Sequence, residues 1–255
     1  MTNGRTVGIV HVHSDYSHDG RDSLEVLQLF AAKRGIAFVG LTEHAEDFDA
    51  ARFDRYREHC RRASVGGVRL LPGLEFRFEG FPGLHLLVLG LGAWIEPRTP
   101  EELVAIVPRA SGFSILAHPR LARYRVPDAV AAAIDGIEVW NAAYDTRYLP
   151  DPQAIRLLRR LQGKYPRLVG VAGLDQHDAG NDRGTRVVLR TPGPDPLVEL
   201  RAGRFDNVGR TMRFGARVDW SRWSLGGLVV VRTLFDVAER TQDRLARRAA
   251  ARRQP

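Results

Sequence analysis

Thiols are almost missing from this chain of 255 residues. Its one cysteine, Cys60, cannot close a disulfide within the chain, and a cysteine cage for zinc is excluded. Cys60 falls in a charged helical stretch and reads as inert. Long apolar runs are also missing, since no uninterrupted segment approaches the roughly 20 residues that a membrane-spanning helix needs. Met1 to Thr6 lacks the basic and then apolar layout of a signal peptide. The expectation is a soluble, cytoplasmic protein without a transmembrane segment. Lysine is scarce, only Lys33 and Lys164, and an arginine excess on this scale reads as a coding bias. No repeat, low-complexity segment or linker divides the chain, so one domain is the default.

The net charge of +8 is unevenly spread. From Arg240 to Pro255 six arginines face one acid, Asp243, and the body is only mildly basic. No basic stripe interleaved with aromatics marks a nucleic-acid surface. Leu228, Val231, Leu234, Phe235, Ala238 and Leu245 fall at helical spacing, so Leu225 to Arg248 is expected to form an amphipathic helix ahead of the arginine-rich tail. We take residues 1–224 as the main domain and 225–255 as this helix and tail, docked on it. An anionic membrane or a nucleic acid is the alternative partner for the tail.

Apolar runs alternate with amphipathic stretches along the body. Strands are expected at Val7 to Val10, Ala37 to Leu41, Arg69 to Leu71, Leu86 to Leu89, Phe113 to Ala117, Gly136 to Trp140, Leu168 to Ala172 and Arg186 to Leu189. Helices are expected at Leu24 to Lys33, Ala50 to Ala63, Glu101 to Arg109, Asp128 to Ile134, Pro152 to Leu161 and Leu197 to Ala202. Thr99-Pro100-Glu101-Glu102 supplies a cap, a first-turn proline and early acids. Such alternation means parallel strands with crossover helices, and the number of units favours a closed α/β barrel over an open sheet.

The strand ends carry the chemistry. His11-Val12-His13 follows the first apolar run, and on a regular strand two histidines in alternate positions face the same way. Thr42-Glu43-His44, Pro72-Gly73-Leu74-Glu75, Ala117-His118-Pro119 and Asp175-Gln176-His177 follow later runs. The carboxyl ends of barrel strands converge on the face where active sites are built. His85 precedes its run and cannot be placed by pattern. His59 belongs to a helix of charged residues.

His11-Val-His13 with Ser17-His18-Asp19-Gly20, Thr42-Glu43-His44, Gly73-Leu74-Glu75, His85-Leu-Leu, Ala117-His118-Pro119, Gly136-Ile-Glu-Val-Trp140-Asn141 and Asp175-Gln-His177 together resemble the PHP family, the polymerase and histidinol phosphatase phosphoesterases. The resemblance spans about residues 7 to 190. It implies a distorted (β/α)7 TIM-like barrel of the PHP type with two or three divalent metals at its carboxyl face. By position it implies His11, His13 and Asp175 around one ion, with Glu75 bridging to a second held by His85 and His118. Asp19, His44 and His177 would hold a third. The family places a ligand at either the fifth or the sixth residue after His13; we prefer Asp19, with His18 as a proton donor.

Imidazoles and carboxylates without thiolate suit zinc, manganese or iron and disfavour calcium. Metals generate a nucleophilic hydroxide near neutral pH and stabilise charge on phosphoryl oxygens. The expected enzyme is a metal-dependent phosphoesterase, a phosphatase or small nucleotide phosphodiesterase, and a long nucleic acid is not favoured. Arg120, beside His118, is a candidate phosphate grip. Trp140 and Tyr144 are candidates for base stacking or for packing. The alternatives are an amidohydrolase on the same barrel, whose bridging lysine has no match at Lys33 or Lys164, and a non-catalytic accessory module. The sequence sets neither the substrate nor the oligomeric state.

Overall fold

Seven staves close a ring in the computed structural model, which describes residues 6–107, 111–191, 193 and 195–251, with backbone alone at Arg222 and 238–251. The chain divides into two compact units, Met1–Val218 and Asp219–Pro255. The first carries β1 (Val7–Val12), α1 (Leu24–Lys33), β2 (Phe38–Leu41), β3 (Glu43–His44), α2 (Ala50–Ala63), β4 (Arg69–Leu71), β5 (Gly73–Arg77) and β6 (His85–Leu89). It continues with α3 (Pro100–Ile106), β7 (Phe113–Ala117), α4 (Asp128–Ala133), β8 (Gly136–Asn141), α5 (Pro152–Gln162), β9 (Val169–Gly173), β10 (Arg186–Leu189), α6 (Pro196–Arg201), β11 (Phe205–Val208) and β12 (Arg213–Gly215). The second unit carries α7 (Arg222–Ala251). Arg109, the expected end of the third helix, and the side chains of the arginine-rich tail lie outside the described residues.

Strands pair in two six-stranded sheets, β12-β11-β10-β1-β2-β4 and β3-β5-β6-β7-β8-β9. Thr42 separates β2 from β3 and Pro72 separates β4 from β5, so each of these pairs forms one interrupted stave that belongs to both sheets. The ring closes where β9 runs into β1: Val12 bridges Gln176, Leu174 N–H donates to Val10 O at 2.9 Å, and His13 N–H donates to Gln176 O at 2.8 Å. Further down this seam the ladder is absent and a side chain fills in. The Asn207 amide accepts from Ala172 N–H at 2.7 Å and donates to Gly170 O at 2.8 Å, so buried backbone groups stay paired where strands diverge. This is an α/β fold of the distorted PHP-barrel kind with an extra C-terminal helix. Val10, Phe38, Leu87, Leu89, Phe113, Ile115, Val169, Val171 and Val187 fill the interior.

Not every stave is parallel, contrary to the reading from alternation. β6 runs antiparallel to both β5 and β7, and β10 runs antiparallel to β1 and β11. A parallel return needs a crossover of about a dozen residues or more, whereas the short link from Arg77 to His85 turns on Gly80 and Gly83 at φ of 79° and 75°. β3, β5, β11 and β12 are additional to the expected strands. Thr99 caps α3 as expected, accepting from Glu102 N–H at 3.1 Å.

Candidate metal centre

His11 reaches the site through a bulge. The β1–β2 ladder skips it between Val10 and Val12, and its φ is 66°. A bulge re-aims one side chain, so simple alternation is not what brings His11 and His13 together, with ring centroids 5.3 Å apart. His118 and Asp175 also have positive φ, 23° and 51°. Non-glycine residues held there persist only when surrounding contacts over-determine them.

The loop after His13 is pinned by a buried acid. Glu43 accepts from Ser14 N–H at 3.0 Å, Ser14 Oγ at 2.6 Å and Ser17 Oγ at 2.6 Å, and Ser17 Oγ accepts from His44 N–H at 3.0 Å. Burial pushes the Glu43 carboxyl up to about 7, against these donors. Glu43 is thus a scaffold for the loop that delivers Asp19.

Three groups of donors converge, each with atoms within 4.8 Å of one another: His13, Asp19, His44 and His177; His11, Glu75 and His118; and His11, His13 and Asp175. His13 thereby belongs to two groups. Glu75 is central, with Oε2 3.5 Å from His11 Nε2 and from His13 Nε2, and Oε1 3.2 Å from His118 Nε2. His85 starts the antiparallel β6 and so stands at the carboxyl ends of the parallel strands. Its Nδ1 lies 2.6 Å from Glu75 Oε1, a hydrogen bond, and it falls in none of the three groups.

These spacings fit divalent ions. Two donors about 2.1 Å from one tetrahedral ion lie about 3.4 Å apart. His11 Nε2 and Asp175 Oδ1 are 3.4 Å apart, His13 Nε2 and Asp175 Oδ1 3.5 Å, and His177 Nε2 and Asp19 Oδ2 3.3 Å. His11 Nε2 and His13 Nε2 are buried and have no hydrogen-bond partner, although buried polar atoms are normally paired. The clusters are able to hold two or three divalent ions, with the His, Asp and Glu donors typical of PHP-type phosphoesterase chemistry.

Electrostatics agree. Burial opposes charge on Glu75, yet the imidazoles of His11, His118 and His85 beside it hold its carboxyl well below the usual range. Asp175 is likewise lowered, its burial outweighed by His11 and His13. Burial takes His13 down to about 4, so it is a neutral donor at pH 7. Burial also opposes charge on His11, but Asp175 and Glu138 raise it well above its ordinary value.

Glu138 belongs to the Gly136–Asn141 stretch of the resemblance, which assigned it no role. On β8 and 1% exposed, it accepts from His11 Nδ1 at 2.7 Å, His118 N–H at 2.7 Å and Asn141 Nδ2 at 2.9 Å. It fixes the His11 tautomer so that Nε2 faces the cluster. Gly173 makes room for it, because a Cβ there would lie 1.9 Å from Glu138 Oε1. Gly173→Ala should therefore lower stability by about 1–3 kcal/mol, the range for overpacking. A thermal unfolding midpoint equal to the parent's would contradict this.

His18 is half-exposed, with Nδ1 2.9 Å from Asp47 Oδ2, which raises its pKa through that hydrogen bond and the Asp47 charge. Its ring centroid is 5.1 Å from that of His44. Arg120 is exposed and donates to Tyr144 O at 3.1 Å, and the Tyr144 ring stands 4.9 Å from that of His118. Trp140 cannot stack on a ligand. It is fully buried within β8, against Phe214, and donates to Thr146 O at 2.6 Å. His59 is not a bystander on α2: it bonds Tyr16 Oη at 3.1 Å and Glu25 at 2.6 Å, tying the loop after His13 to two helices.

A cavity of about 310 Å³ opens beside Asp19, Asp175 and His177, with Arg21 and Arg183 in its wall. The sequence reading named neither arginine. A larger cavity of about 810 Å³ lies between α2, β4 and α6 and touches none of the clustered residues.

Parts of error-prone DNA polymerases are similar to this chain. That of Symbiobacterium thermophilum is 36% identical over 84 residues, 32% of this chain and 7% of the polymerase. That of Mycobacterium bovis is 35% identical over 99 residues, 38% of this chain and 9% of the polymerase. The matched stretch is thus under a tenth of each polymerase. Among solved structures, a two-domain Bacteroides vulgatus protein containing a predicted PHP-like metal-dependent phosphoesterase superposes with a TM-score of 0.62 at 19% identity, covering 90% of this chain and 71% of that one. PsfC from Pseudomonas syringae gives 0.58 at 17% identity, covering 92% and 99%. At these identities the likeness is one of fold. The PHP domain family itself matches residues 10–191, well over half of the sequence, and this chain belongs to that family.

Proposed function

We propose that the chain hydrolyses a small phosphoester in a metal-dependent reaction, as a phosphatase or small nucleotide phosphodiesterase. The observation that carries the reading is Glu75, a buried carboxylate whose two oxygens face different imidazoles, His118 and His85 on one side and His11, His13 and His44 on the other. In this reading His11, His13 and Asp175 would hold one ion, Glu75, His118 and His85 a second, and Asp19, His44 and His177 a third. Bound there, divalent ions supply a nucleophile from water near neutral pH and neutralise charge on the phosphoryl oxygens. Glu138 orients His11, and Glu43 holds the loop that carries Asp19. His18, exposed and with its pKa raised by the hydrogen bond to Asp47, is the proton donor to the departing oxygen in this reading. Arg120 contacts the phosphate from the rim. The small cavity beside Asp19 and His177 supports a small substrate over a long nucleic acid.

The test is to strip the protein with a chelator, restore manganese, zinc or iron separately, and assay nucleotides, sugar phosphates and histidinol phosphate beside amides and lactones. Metal-restored phosphoester turnover is expected. Turnover of amides or lactones alone would point to the amidohydrolase reading, and one tightly held ion without turnover would make the barrel an accessory module.

A further inference from the structure

Two halves of α7 differ in character. Up to Glu239 its charges balance, Arg222 and Arg232 against Asp236 and Glu239, whereas from Arg240 to Ala251 four arginines face Asp243 alone, and the sequence continues with Arg252 and Arg253. In the first half the large apolar residues Trp223, Val230, Val231 and Leu234 are exposed, Trp223 by 91%. At 100° per residue these four fall within an arc of about 100°, the width of a stripe that ordinarily faces a core. Gly227 falls inside the arc, and a Cβ there would meet nothing within 4 Å. Leu225, Leu228 and Arg232, on the other side of the helix, are buried. The stripe is therefore open, contiguous and distinct from the helix's buried side.

The basic half identifies what complements it. Helix pairing with a second copy would need the apolar seam to continue, but beyond Arg240 the sequence offers only Leu245 as a large apolar residue. A nucleic acid would use the arginines and leave Trp223 and Leu234 without a role. An anionic phospholipid surface uses both, since tryptophan and aliphatic side chains enter the headgroup boundary while arginines meet the phosphates. No helix among the described residues is long and apolar enough to cross a membrane, which leaves lying on the surface.

We propose that α7 is an interfacial anchor that docks this protein on anionic phospholipid. The full chain, metal-loaded, is mixed with vesicles of phosphatidylcholine alone or of phosphatidylcholine with phosphatidylglycerol, and co-sedimentation is measured at low and high salt. Binding is expected only to the anionic vesicles and is weakened by salt. Trp223→Ser with Leu234→Ser should weaken it about a hundredfold. Arg247→Gln with Arg248→Gln should weaken it about thirtyfold. Metal content should be unchanged in both variants. The proposal fails if the parent ignores anionic vesicles, or if binding is lost in neither variant. It fails equally if the parent, without binding vesicles, forms a dimer that Trp223→Ser dissociates or binds duplex DNA through the arginines.

Discussion

Glu75→Gln is expected to lose at least one metal ion and to cut phosphoester turnover by at least about a hundredfold, with the fold intact. The carboxylate is 2% exposed and lies among five imidazoles, with Oε1 2.6 Å from His85 and 3.2 Å from His118 and Oε2 3.5 Å from His11, His13 and His44. Glutamine keeps the outline but removes the charge, and its amide nitrogen would turn a donor toward one side of the site. Loss of a partner that merely orients a ligand already costs about 10–100-fold in metal affinity or activity; a residue facing two metal positions should cost more. Glu58→Gln is the control, because Glu58 is an exposed acid on α2 paired with Arg61. Metal analysis, circular dichroism and turnover on both variants decide it. A full metal complement and near-parental turnover in Glu75→Gln would remove Glu75 from the site.

The second large effect is expected at a residue that touches no metal position in the proposed scheme. Every group directed at Glu138, from His11, His118 and Asn141, is a hydrogen-bond donor. Glu138→Gln replaces one accepting oxygen by a donating nitrogen, so one of these contacts becomes donor against donor. An unsatisfied buried group costs about 1–3 kcal/mol, and with the His11 tautomer no longer fixed metal affinity should fall about 10–100-fold. Titration of the stripped protein with zinc, read by calorimetry, measures it. Affinity equal to the parent's would show that His11 needs no such support.

The contrast between Glu75 and Glu138 explains what could be read in the sequence and what could not. Histidines and acids just past apolar runs were legible because a barrel gathers strand ends on one face, and the histidine spacing is rare enough to stand out. Glu138 sits inside an apolar run, where a buried acid looks like any polar residue of a strand until its partners are seen across the barrel. His85 was ambiguous because strand direction is not written in a strand. The direction of β6 follows from the link before it, whose brevity and paired glycines exclude a crossover helix. Alternation brought His11 and His13 to one place, as the structure does, but missed the bulge that achieves it, since a bulge is a local departure from the very period that pattern reading uses. For Trp140 stacking and packing were both open, and packing holds: the aromatic lies within β8 and packs against Phe214.

The backbone at His11, His118 and Asp175 bears on how stability and chemistry trade against each other. Each holds a side chain at positive φ, at a cost on the order of 1–3 kcal/mol. Glycine would release that cost, but it has no donor atom to offer. A protein of this shape under selection for robustness alone would gain most by relaxing these three positions first, and His13, His44 and Glu75, with no such backbone penalty, would persist longer. In this chain, glycine at any of these three positions would therefore release backbone cost and remove a donor atom in the same step.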